Sequence, residues 1–119
     1  MLTTEEKTQA VVAVLEDIKA IDITVIDTSK LSKMFERMVI ASANSIRQTK
    51  ALADNVVAKL KERGEQIYGR EGEDSGEWIL VDLGEVLVHI VQPAIRDYYN
   101  LEELWSKAQA AHPKLAKAK

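Results

Sequence analysis

The stretch WILVDLGEVLVHIV, residues 78–91, constrains the fold of this chain more than any other. Two runs of β-branched and large aliphatic residues flank Gly84-Glu85, a Gly-X pair that suits a type II′ turn, so the stretch reads as a β-hairpin. Side chains alternate across a strand, which sorts the hairpin into two faces. With the turn at Gly84-Glu85, Leu83 pairs with Val86, Val81 with Val88 and Ile79 with Ile90. That face is wholly aliphatic and belongs to a core. The other face sets Trp78, Leu80 and Asp82 opposite Val91, His89 and Leu87, and it is neither a solvated face nor a plain core. A slip of one residue would exchange the two faces, so burial of the aliphatic one pins the register.

The remaining elements must supply what that hairpin packs against. Residues 3–20 read as an amphipathic helix, opened by a capping box of Thr3 and Glu6 and buried through Val11, Leu15 and Ile18. Asp22 to Asp27 and Glu36 to Ser42 are strand-like, with a polar loop from Thr28 to Lys33. Ser45 and Gln48 form a second capping box, starting a helix that buries Thr49, Ala53, Val56 and Leu60 and stops at Gly64. Gln66 to Gly69 fits a short strand, and Arg70 to Glu77 an acidic, glycine-containing loop. Pro93 cannot continue a central ladder but suits a first helical turn, which predicts a closing helix over 94–105. Helix after strand, followed by more strand, suggests a crossover packing onto a sheet.

The chain of 119 residues is one domain by length, and its 46% hydrophobic content suffices for a core without staples. It has no cysteine, so disulfides, thiolate metal sites and thiol nucleophiles are excluded. No apolar run reaches the roughly 18–20 residues needed to span a bilayer. The amino terminus carries acids where a secretory signal carries bases, and a cytoplasmic protein is expected. Residues 1–105 hold 12 basic and 19 acidic side chains, whereas 106–119 add four lysines and no acid. The expectation is a domain over 1–105 followed by a basic, flexible tail. An acidic body is a poor primary binder of nucleic acid and a better match for a basic protein.

Catalytic signatures are scarce. His89 lies alone within the expected fold, and tetrahedral zinc needs three or four protein ligands. Asp82 and His89 could form an acid–base pair, but no nucleophile is evidently placed with them. Neither GxGxxG nor GxxxxGK[ST] occurs. Asp22 and Asp27, five apart, are expected to point to opposite faces as strand-end polar groups. No cofactor and no metal are therefore expected. The mixed hairpin face has two readings: helices cover it and satisfy its polar groups locally, or it stays partly open and docks a partner. A tryptophan among aliphatics and a few polar groups has the composition of an interface hot spot.

The segment GEDSGEWILVDLGEVLVHIVQ, followed by YYNLEELW at 98–105, resembles the signature end of the ribosomal silencing factors, the Iojap-like proteins of bacteria and organelles. Upstream, MVIASANSIRQ at 38–48 and Ala53-Asp-Asn-Val56 are similar to the family's second strand, turn and second helix. The resemblance covers Glu5 to Trp105. The chain departs from the usual pattern in Glu36-Arg37, where an aspartate is common, and in Ser42-Ala43, where Thr-Gly often stands.

The resemblance implies an α/β fold, a mixed β-sheet flanked by helices, related to nucleotidyltransferases but lacking their catalytic motif. It also implies a non-enzymatic function: binding the large ribosomal subunit through its protein fourteen, blocking subunit association and repressing translation under nutrient limitation. Carried onto this chain, Trp78 would be the aromatic anchor, Leu80 and Leu87 its apolar support, and Asp82 and Glu77 acidic partners of basic groups. His89 shares that face, and Tyr98 and Tyr99 either join the contact or pack the last helix. An open apolar face could also be shielded by homodimerisation in the free protein. The alternative is a divergent nucleotidyltransferase-like enzyme, against which stands the absence of a Gly-Ser with a following Asp-x-Asp.

Overall fold

A computed structural model describes residues 2–30, 33–101 and 103. The elements run α1 (Thr4–Asp17), β1 (Ile21–Asp27), β2 (Arg37–Ser42), α2 (Ile46–Glu62), β3 (Gly69–Glu71), β4 (Trp78–Asp82), β5 (Val86–Val91) and α3 (Pro93–Tyr99). The five strands form one sheet in the order β1-β2-β5-β4-β3. Only β2 and β5 pair in parallel, and the other three pairings are antiparallel. The mixed sheet flanked by helices is the architecture that the family resemblance implies.

The hairpin forms in the expected register, with Ile79 opposite Ile90 and Val81 opposite Val88. Leu83 N–H donates to Val86 O at 2.9 Å across the turn, and Gly84 takes φ +91, which a side chain would disfavour. Burial along β4 alternates residue by residue, as a strand with one core face requires. Ile79, Val81, Leu83, Val86, Val88 and Ile90 are all fully buried. Val11 and Leu15 of α1 and Leu52, Val56 and Leu60 of α2 cover that face, so both long helices lie on one side of the sheet.

Local chemistry sets the helix ends. At α1 the capping box is complete: Glu6 N–H donates to Thr3 Oγ1 at 3.1 Å, and Thr3 N–H to Glu6 Oε1 at 2.9 Å. At α2 only half of the expected box forms. Gln48 N–H donates to Ser45 Oγ at 3.1 Å, but the Gln48 side chain donates to Ile18 O at 2.6 Å. The free carbonyl at the end of α1 outcompetes the cap, and Gln48 ties the two helices together. Gly64 ends α2 with φ +83.

Four features differ from expectation. Helix α1 closes at Asp17, with Ile18 as its C-cap and Lys19 left-handed at φ 63, instead of running to residue 20. The short strand is Gly69–Glu71 rather than 66–69, because the ladder partners on β4 are Asp82, Val81 and Leu80. Helix α3 ends at Tyr99, where Asn100 turns left-handed at φ 51 and interrupts the helix expected over 94–105, although Leu101 and Glu103 are again helical. In β1 the register shifts between Ile21 and Thr24 and Asp22 has φ 51, so this bulge breaks the simple alternation assumed for Asp22 and Asp27. Trp105 and the expected basic tail lie outside the described residues.

A buried ion network locks the hairpin turn to α1. Lys7 is 5% exposed and donates to Leu83 O at 3.0 Å and to Glu85 Oε1 at 2.6 Å, with Glu65 Oε1 at 2.9 Å. Glu65 also accepts the Leu2 N–H at 2.9 Å. The ammonium thus spends its three donors on three acceptors. Burial pulls the Lys7 pKa down, but the bonds to Glu85 and Glu65 outweigh it and leave it raised. The Leu2 amide and then Lys7 hold the Glu65 carboxyl below its ordinary range, and Lys7 does the same for Glu85. Backbone bonds from Glu36 and Arg37 N–H to Glu85 O, at 2.6 and 3.1 Å, join the same turn to the start of β2.

Candidate docking surface

The second face of the sheet is unevenly covered. Over β2 it is sealed: Met38, Ile40, Val91 and Leu101 are buried together, with Phe35, Ile95 and Trp78 packed against them. Towards β4 the cover ends. Trp78, Leu80, Asp82, Leu87 and His89 are all half-buried, on one surface, in the pairs Trp78–Val91, Leu80–His89 and Asp82–Leu87. The hairpin therefore gathers five of the eight sequence-derived candidates on a single face, through strand alternation alone.

Polar contacts fix that face. The Trp78 indole N–H donates to His89 Nδ1 at 2.9 Å, with ring centroids 5.9 Å apart. In this arrangement Nδ1 of His89 is the acceptor. Asp82 accepts the Gly84 N–H at 2.8 Å, an Asx-type contact that shapes the hairpin turn. Asp82 and His89 are thus engaged with the turn amide and the indole, respectively.

Helix α3 contributes the aromatic margin. Tyr99 packs against Trp78 with centroids 5.3 Å apart, and Tyr98 meets Tyr99 edge-on at 5.0 Å. Tyr98 is 80% exposed and Tyr99 50%. The ring row His89, Trp78, Tyr99 and Tyr98 runs across β5, β4 and α3 and ends in solvent. Glu77, just before β4, is exposed, while its carbonyl accepts Gln92 N–H at 3.0 Å.

Two residues that the sequence reading left aside join this face. Glu71 and Gly72 line a shallow depression of about 310 Å³ with Trp78, Leu80 and His89. Gly72 has φ +89, and a Cβ there would lie 1.9 Å from Trp78 O. Only glycine allows the loop to approach the start of β4 so closely. The loop that it begins carries Glu73, Asp74 and Glu77, all exposed, so the aromatic face has an acidic rim. Arg70 is occupied by Asp54 at 2.9 Å and by Glu73 at 2.5 Å. Among the described residues no group of three or more His, Asp or Glu is arranged to hold a metal ion. Nor is any helix long and apolar enough to cross a membrane.

Fold and surface together define a class: a small mixed α/β module with one sealed helical face and one half-open, aromatic, acid-rimmed face. The family model described as ribosomal silencing factor during starvation matches residues 2–119. A ribosomal silencing factor of Chromobacterium violaceum is 54% identical over 101 residues, covering 85% of this chain and 83% of that protein. A crystal structure of a protein from the same organism superposes with a TM-score of 0.86 at 51% identity, covering 88% of each chain. A more distant relative is the mouse protein named mitochondrial assembly of ribosomal large subunit protein 1. It is 33% identical over 98 residues, covering 80% of this chain and 43% of its own length. The chain belongs to the ribosomal silencing factor family.

Proposed function

We propose that this protein is a non-enzymatic silencing factor that binds the large ribosomal subunit through its protein fourteen. Bound there, it blocks association with the small subunit and so represses translation when nutrients are limited. The observation that carries this reading is the half-open hairpin face, where Trp78 stands among half-buried aliphatics inside a rim of exposed carboxylates. Family membership supports the ribosome as target, and the name of the mouse relative points to the large subunit.

Steric occlusion needs occupancy and no turnover, so such a surface is enough for the function. Trp78 would bury its ring in the partner as an anchor, with Leu80 and Leu87 excluding water around it. Asp82 and Glu77, with the neighbouring Glu71, Glu73 and Asp74, would face basic groups and speed encounter with a cationic ribosomal protein. Tyr98 and Tyr99 would extend the aromatic contact from α3. A cytoplasmic location is part of the same proposal, as in the bacterial members of the family. In the free protein the same face could pair with a second copy, which would compete with docking.

Co-sedimentation with isolated large and small subunits tests the proposal. Wild-type protein should travel with large subunits and inhibit their joining to small ones, and Trp78→Ala should do neither. Binding to neither subunit would end the silencing reading. Metal- and nucleotide-dependent transfer activity in the purified protein would favour a nucleotidyltransferase-like enzyme instead.

A further inference from the structure

Helix α3 carries half of the aromatic row, yet its own anchor is not apolar. Of its seven residues one is fully buried, and that one is Arg96, 6% exposed. One guanidinium nitrogen donates to Ser42 Oγ at the end of β2, the other to Thr24 Oγ1 in β1, both at 3.0 Å. The Arg96 backbone N–H donates to Gln92 O at 3.0 Å, and its carbonyl accepts the Asn100 N–H at 2.8 Å. A single residue therefore joins two strands to both ends of the helix.

An arginine is a poor choice if stability alone were the purpose, because a buried charge is often replaced by an apolar residue without loss. What a planar guanidinium supplies is direction: its donors leave in a fixed fork, so two acceptors on different strands define how the helix is rotated. Besides Arg96, half-buried Ile95 of α3 packs on the second core cluster and Tyr99 lies against Trp78. Rotation matters here because successive helical residues are about 100° apart. Turning α3 by one position would carry Tyr99 off the Trp78 ring and Tyr98 with it.

We infer that Arg96 is a positioning residue of the docking surface. Its guanidinium, seated on Ser42 and Thr24, sets the rotation of α3 and thereby holds Tyr98 and Tyr99 beside Trp78 in the arrangement that the partner meets. The inference rests on the docking role proposed for that face. It explains why the segment after β5 is keyed to the far edge of the sheet, over β1 and β2, while its aromatic side chains serve β4.

Arg96→Met tests it through three measurements on the full chain: affinity for isolated large subunits, thermal midpoint, and the nuclear Overhauser contact between the Trp78 indole and the Tyr99 ring. The expected variant is folded, has lost the ring contact, and binds about tenfold more weakly, as when a binding-competent pose falls to a tenth of the population. Should Arg96→Met fail to fold, Ser42→Ala, which removes one acceptor, decides on the same measurements. A folded variant with affinity within about twofold of wild type, or with the ring contact intact, overturns the inference, since mere structural support would leave both unchanged. Wild-type protein that does not bind, or Trp78→Ala that binds as well as wild type, removes the docking reading and this inference with it. Binding lost in Trp78→Ala but kept in folded Arg96→Met removes this inference alone.

Discussion

Replacing Lys7 with methionine perturbs the network that fastens the hairpin turn to α1. The stem of methionine can follow the lysine path, so packing changes little and the loss falls on the charge. It strands Glu65, whose side chain is 2% exposed, with the Leu2 N–H to hold its carboxylate, and it leaves Leu83 O without the Lys7 donor. Glu85 loses the same bond but is 54% exposed on its side chain, so water replaces the ammonium there at little cost. Breaking a buried pair from one side costs about 3–5 kcal/mol. For a domain of this length each kcal/mol lowers the melting midpoint by about 4 °C, so a drop of roughly 12–20 °C is expected. Urea unfolding at pH 7 measures the loss directly. The double variant Lys7→Met/Glu65→Leu removes both charges and should recover much of it, with a coupling energy of about 2 kcal/mol or more. A single-variant cost below about 1 kcal/mol, or a double variant that merely sums the two singles, would refute the assignment of a buried, energetically coupled pair.

The same network predicts a pH profile. The Glu65 and Glu85 carboxyls are held below their ordinary value of 4.5, so their contribution is fully present above that value and fades as pH falls through the lower folded pKa values. Lys7 is raised above 10.5, so its share is present below that pH and is lost as pH rises through the higher folded value. Stability measured from pH 7 down to 2 should fall less steeply in Glu65→Gln than in wild type; equal slopes would count against it. Gly72→Ala combines φ +89 with a Cβ 1.9 Å from Trp78 O, and it should cost about 2–4 kcal/mol in thermal or urea unfolding. An unfolding free energy unchanged within error would show that the loop can withdraw from β4. Asp82→Asn keeps an acceptor for the Gly84 amide while deleting the charge, so stability should hold within about 1 kcal/mol. If Asp82 faces a basic partner, association with large subunits should slow at low salt and the difference shrink at high salt. A salt-independent effect would assign Asp82 to the turn alone.

Much of the fold was legible because its key instructions are local. Gly84-Glu85 selects a two-residue turn, and that turn with strict alternation specifies which residues pair and which face they take. Thr3 and Glu6 sit three apart and cap a helix start without outside help. The five hairpin candidates of the proposed docking face follow from the same parity. Family resemblance named a partner that spacing could not.

What the sequence could not reveal depends on groups far apart in the chain. Gln48 looks like a cap residue locally, but a carbonyl 30 residues earlier claims its side chain. The bulge at Asp22 arises from the pairing of β1 with β2, and the position of β3 from its match to β4. Nothing local marks Lys7 or Arg96 for burial. One meets its acceptors 76 residues away at Leu83, the other 54 and 72 residues away at Ser42 and Thr24. The sequence by itself determined the hairpin, its register and the mixed face that it carries, because those depend on two-residue periodicity and turn chemistry. Tertiary structure alone decided that Tyr99 lies on Trp78, that Glu71 and Gly72 wall the depression beside it, and that Arg96 of α3 reaches Ser42 and Thr24. Each of these depends on bringing distant segments within a few ångströms, where hydrogen-bond geometry and burial take over from local preference.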